Sequence, residues 1–189
     1  FNIAAKRLIC NYKLKSMTNT VLASASRILW RTIESNNIDP KEVFCEAGLD
    51  PDKISETEAR FPVENMRKAW AIAAEKIPDP CFGAWAGKNW FPGDLYAIGY
   101  TFLSSSTLTS ALGRIARYNE VVDRVISFEL SETPSEIKLS YNNSLKGLPD
   151  IPALEVARWS VVTALCRKAK SENFSPLYVG LKHDKLECS

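Results

Sequence analysis

Histidine is nearly absent: His183 is the only one in 189 residues. An imidazole metal site needs further ligands, and Asp184 and Glu187 are merely neighbours in sequence. A nucleophilic serine is equally unsupported. Ser104-Ser105-Ser106 has no Gly-x-Ser-x-Gly elbow and lies far in sequence from the one candidate base. Helix capping explains these serines better. Gly93 and Gly99 match neither a phosphate loop nor a dinucleotide fingerprint. With no acid/base or nucleophile constellation, the chain is not read as an enzyme.

Paired cysteines are also missing. Cys10, Cys45, Cys81, Cys166 and Cys188 are scattered, odd in number and without a C-x-x-C pair. That excludes a zinc ribbon and gives no disulfide framework, so the expectation is five free thiols in a reducing cytoplasm. No apolar run reaches the roughly 18–20 residues of a membrane span. The first sixteen residues carry Lys6, Arg7, Lys13 and Lys15 without an uninterrupted apolar stretch, a poor signal peptide. Met17 reads as a natural start, making residues 1–16 a leader or added extension and residues 17–189 one domain. Charge excess is lacking too: 24 Lys/Arg against 22 Asp/Glu leave +2, which weighs against this chain gripping DNA by itself.

What is present is periodicity. Val21, Ala25, Ile28, Leu29, Thr32 and Ile33 share one helical face. Asp39-Pro40 then caps a short helix, with Glu42 in capping-box position and Gly48 at its end. Asp50-Pro51-Asp52 repeats the start signal. After Arg60-Phe61-Pro62 comes a longer helix with Val63, Met66, Ala69, Trp70, Ala73 and Ile77 in a stripe, then a further helix over 81–89. From Gly93 to Val122 the pattern is a short apolar helix, a Ser/Thr-rich turn, and an amphipathic helix capped by Thr107 or a neighbouring serine. Leu108, Ala111, Leu112, Ile115, Tyr118 and Val122 form its apolar face. The period then changes to two. Ile126, Phe128 and Leu130, and Ile137, Leu139 and Tyr141, alternate with polar residues on either side of the turn 131–136, an antiparallel hairpin. A helix over 153–171 and a strand over 177–181 follow. The expected class is α+β and helix-rich: several N-terminal helices packed with a small sheet of hairpin, helix and further strand.

Three segments together resemble the N-terminal regulatory domain of one branch of the AraC-type transcription regulators. They are Glu46-Ala-Gly-Leu-Asp-Pro51, the 93–122 stretch, and Pro176-Leu-Tyr-Val-Gly-Leu-Lys-His183. Within the middle segment the resemblance rests on Gly93-Asp94-Leu95, Gly99-Tyr100, Leu103-Ser-Ser-Ser-Thr-Leu108, Ala111-Leu112 and Arg117-Tyr118. The resemblance implies an effector-sensing and dimerisation domain of a bacterial regulator. It acts on transcription through a C-terminal pair of helix-turn-helix motifs, which this chain does not contain. An unknown small-molecule effector and a second copy of the chain are the implied partners, with DNA reached only through the missing part. No cofactor and no metal are implied. The family's arabinose-binding label does not name the effector, because its members respond to unrelated metabolites.

The dense aromatic set Trp85, Trp90, Phe91, Tyr96, Tyr100 and Phe102 suits one wall of an apolar effector pocket, and equally suits packing between helices. Arg117, beside Tyr118, is placed to pair with an acidic effector; Glu120 and Asp123 are its alternative, solvated partners. The candidate ligand-binding residues are therefore Trp85, Trp90, Phe91, Tyr96, Tyr100, Arg117 and Tyr118. A heme or gas-sensing module is the reading from a different class, and would need His183 or a cysteine as axial ligand.

Overall fold

A computed structural model describes residues 19–145, 147–184 and 186. The expected leader over residues 1–16 lies outside them. Among the described residues no helix is long and apolar enough to cross a membrane.

The described residues open with a strand, β1 (Thr20–Leu22), rather than a helix turn. Its β-branched Thr20 and Val21 pair with β2 (Arg60–Pro62), Val21 opposite Phe61. On its other side β1 meets the segment after residue 121: Leu22 N–H donates to Val122 O at 2.7 Å and Arg124 N–H to Thr20 O at 3.0 Å. Arg60 stitches this junction, donating to Thr20 Oγ1 at 2.7 Å and to Val121 O at 2.8 Å. Helical periodicity over 21–33 therefore survives only from α1 (Arg27–Glu34), entered through a 3-10 turn.

The capping signals are realised. In α2 (Pro40–Glu46) Asp39 accepts from Lys41 N–H, and Gly48 takes φ +75° to end the element. A 3-10 turn over Pro51–Ser55 is capped likewise by Asp50. The stripe in α3 (Val63–Lys76) buries Val63, Met66, Ala69, Trp70 and Ala73. The helix expected over 81–89 is a 3-10 segment, Phe82–Gly87, packed tightly on the last helix.

Next come α4 (Tyr96–Leu103) and α5 (Leu108–Tyr118), with Thr107 capping α5 by accepting from Ser110 N–H at 3.1 Å. The Gly-Tyr pair has a steric reason: a side chain at Gly99 would sit 2.1 Å from Pro92 O. On α5, Leu112 and Ile115 are buried, Arg117 lies outside, and Tyr118 leaves the apolar stripe for the surface.

The hairpin forms as its alternation requires. β3 (Ile126–Glu132) and β4 (Ile137–Asn143) pair with Phe128 opposite Tyr141 and Leu130 opposite Leu139. Behind it, α6 (Pro152–Ala169) buries Ala157, Val161 and Leu165. The further strand over 177–181 is not formed. Leu177 and Tyr178 stand 96% and 84% exposed, with no strand edge beside them among the described residues. The α+β class holds, but the small sheet is two separate antiparallel pairs, with β1–β2 replacing the expected last strand.

The thiol expectation needs correction. Cys45 and Cys81 are disulfide-bonded, while Cys166 is free and buried, its pKa pushed up to about 11 by burial. Widely spaced cysteines were silent in sequence because folding, not spacing, brings such thiols to a partner. The thiol argument for a reducing compartment falls with it.

Candidate functional site

Helices, hairpin and β1 surround an interior pocket of about 190 Å³. Its wall draws on the whole length of the chain. Val21 and Ile28 come from the start, Met66 and Trp70 from α3, Ile98 and Ile115 from α4 and α5. Ile126 and Phe128 come from β3, and Leu154, Ala157, Val161 and Leu165 from the inward stripe of α6. The wall is mainly hydrocarbon, and its size bounds the guest. A cavity of about 150 Å³ admits benzene, so this one has room for a ring or a short chain with a few further atoms. A hollow of about 280 Å³ on the outer face of α6, beside Gly87, Val179 and Leu181, is built from fewer elements.

Polar side chains other than Trp70 enter the pocket wall at six positions: Ser26, Arg67, Asn119, Asp123, Asn143 and Arg158. Five are engaged with main chain. Ser26 donates to Ala23 O, Arg67 to Pro149 O, and Asn119 to Ile126 O at 2.7 Å. Asp123 accepts from Val125 N–H at 3.0 Å and Asn143 from Leu145 N–H at 2.9 Å. Arg158 differs. Its guanidinium lies over the Tyr141 ring, 4.6 Å from the centroid, and no described carboxylate is within 4.0 Å of it.

Both charges feel the enclosure. Burial lowers the Arg158 pKa, against the opposing pull of Tyr141, Asp123 and Glu155. Burial raises that of Asp123, offset in part by the Val125 N–H, by Arg158, by the Ile126 N–H and by Arg60. Asp123 is held in place by the bridge between Val21 and its own backbone. Glu155 is turned away to a second network, accepting from Tyr141 O–H at 3.0 Å and from Lys182 N–H at 3.2 Å. His183 Nε2 lies 4.0 Å from Glu155 in that network and does not line the pocket.

None of Trp85, Trp90, Phe91, Tyr96, Tyr100, Arg117 and Tyr118 lines the pocket. Trp90 is half-buried against the core. Trp85, Phe91, Tyr96 and Tyr100 are exposed beside surface partners. Lys88 sits over the Trp85 ring, Arg31 over Phe91, and Tyr96 O–H donates to Glu58 at 3.3 Å. Arg117 and Tyr118 are exposed on α5, and no ion pair to Arg117 is formed among the described residues. Phe102 is fully buried core. The residue that sequence reasoning passed over is Arg158. Its signal was a charge on an apolar stripe: it stands four residues after Leu154 and three before Val161, on the inward face of α6. Among the described residues no group of three or more His, Cys, Asp or Glu side chains is placed to hold a metal.

A helix-rich α+β domain enclosing a pocket of this size and lining has the build of a small-molecule-binding domain. Residues 38–189 match the N-terminal arabinose-binding domain of AraC transcription regulators, and the chain belongs to that family. No protein of curated function matches it.

Proposed function

We propose that this chain is the effector-sensing domain of a transcription regulator and that the interior pocket is where the effector binds. The observation that carries this is the wall itself: it joins β1, α3, α4, α5, the hairpin and α6 around one cavity. A guest there touches every layer at once. It therefore binds two arrangements of those layers with different affinity, which is the requirement for a ligand to shift a conformational equilibrium. The readout belongs to a DNA-binding domain and to a second copy of the chain. A net charge of +2 and the absence of a groove-reading helix pattern argue against the domain contacting DNA by itself.

The family name mentions arabinose, but the lining argues for a different effector. A pentose presents hydroxyls on nearly every carbon and needs partners for them. Here the wall is mostly aliphatic and aromatic, and five of its six polar side chains already serve the main chain. A small, largely apolar metabolite fits better.

Filling the pocket tests this. Val161→Phe places a ring in the cavity and should leave the protein folded, since the added volume has room. Saturating benzene should raise the melting temperature of the wild type and not of the variant. An equal rise in both would put the binding site elsewhere.

A further inference from the structure

Arg158 is the polar side chain of the pocket wall that is not tied to main chain among the described residues; its partner is Tyr141. A part-buried arginine in an apolar wall gains from an anion or several acceptors, because a guanidinium has five N–H donors and no way to discharge. Tyr141 offers its ring to the flat side of the group and its hydroxyl as one hydrogen-bond partner, which leaves most of the five donors without a described acceptor. No carboxylate of the described residues lies within 4.0 Å of them.

The charge count in the wall points the same way. Two guanidinium groups, Arg67 and Arg158, face one carboxylate, Asp123. Arg67 is spent on Pro149 O, and Asp123 is held by main-chain N–H groups. The surplus is one positive charge, and it sits on Arg158, which has no carboxylate beside it among the described residues. The groups packed around it add no direct neutralising partner: Glu155 is engaged with Tyr141 and Lys182, and Lys182 Nζ is itself over the Tyr141 ring at 5.1 Å.

We infer that the pocket takes a small monocarboxylate with an apolar body, its carboxylate held by the Arg158 guanidinium and its hydrocarbon against Ile98, Ile115, Phe128 and Val161. A carboxylate matches the guanidinium fork with two parallel hydrogen bonds and cancels the surplus charge. With about 190 Å³ available, the body is a single ring or a chain of about six carbons. The inference rests on reading the pocket as the effector site.

The test compares acids with their uncharged amides on the intact chain, by equilibrium dialysis at neutral pH. Phenylacetate and hexanoate are set against phenylacetamide and hexanamide, with benzene as an apolar probe. The wild type should bind each acid at least about tenfold more tightly than its amide. Arg158→Met should erase that preference, and Arg158→Lys should keep a weaker one, since lysine retains the charge without the fork. Circular dichroism and melting curves confirm that the variants fold; if Arg158→Met does not, the wild-type ratio and Arg158→Lys decide the matter. Amide binding as tight as acid binding in the wild type overturns the carboxylate assignment and leaves the pocket standing. So does benzene binding without binding of either acid. A chain that binds none of the five probes overturns this inference and the pocket reading together.

Discussion

Two arginine–carboxylate settings in this molecule are built in opposite ways. Near the surface turn over Pro92–Leu95, Asp94 is fully closed off by protein. Its carboxylate pairs directly with Arg31 and accepts from Phe91 N–H at 2.7 Å. Arg31 is also used up, donating to Asn89 O at 2.7 Å and lying over the Phe91 ring. Around the interior pocket, Asp123 and Arg158 sense each other's charge but do not pair, and the partner beside Arg158 is the neutral Tyr141. The first setting is saturated and ties α1 to the segment before α4. The second is incomplete as it stands, and a guest would complete it. Buried polar networks are stabilising when every member is satisfied; one left unsatisfied is where a ligand has most to gain.

That contrast is most easily broken by mutation. Asp94→Ala strands Arg31 and should cost about 3 kcal/mol in urea unfolding. This is the low end for a buried pair, because a quarter of the Arg31 side chain still reaches solvent. Arg158→Met removes a charge that has Tyr141 but no carboxylate beside it, and should cost little or stabilise by about 1–2 kcal/mol in the absence of ligand. Equal losses in both variants would mean that Arg158 is as structurally committed as Arg31.

Acidity sharpens the comparison further. Burial, the largest influence, raises the folded-state pKa of Asp123. Its contribution to stability is then fully present below the ordinary carboxylate pKa and is lost as pH rises through the raised folded value. Melting temperature measured against pH should therefore show the wild type losing ground to Asp123→Asn across the weakly acidic range. A wild type that gains on the variant as pH rises would mean that Asp123 is paired more closely than its geometry indicates.

The smallest effect is expected outside both settings. Arg117 is exposed and without an ion pair among the described residues, so Arg117→Ala should change stability by no more than about 0.5 kcal/mol. Its response to phenylacetate should match that of the wild type. A lost response would return the site to the exposed face of α5.

Local chemistry was legible in the sequence where it acts locally. Asp39, Asp50 and Thr107 cap the elements that their spacing marks, and alternation over 126–141 marks the two paired strands, although Ile137 at the tip is exposed rather than buried. Pairing between distant segments was not legible. Residues 20–22 continue a helical stripe in sequence, yet become a strand because residues 60–62 and 122–124 supply hydrogen bonds on both sides. The stretch 177–181 has the composition of a strand but no described edge to join. The pocket was invisible for the same reason. Its apolar wall comes from segments scattered between residues 21 and 165, each indistinguishable from ordinary core. The aromatic cluster drew notice because it is dense in sequence, whereas in space most of it faces outward.

The interior pocket and the exposed aromatic face can be told apart by one titration. Isoleucine methyl groups labelled with carbon-13 and followed by NMR as phenylacetate is added report on both regions, together with the tryptophan indole signals. The account expects saturable shifts at Ile98, Ile115 and Ile126, which line the pocket, with the Trp85 indole unmoved. Shifts confined to Trp85 and its exposed neighbours, with the three isoleucines unchanged, would contradict it.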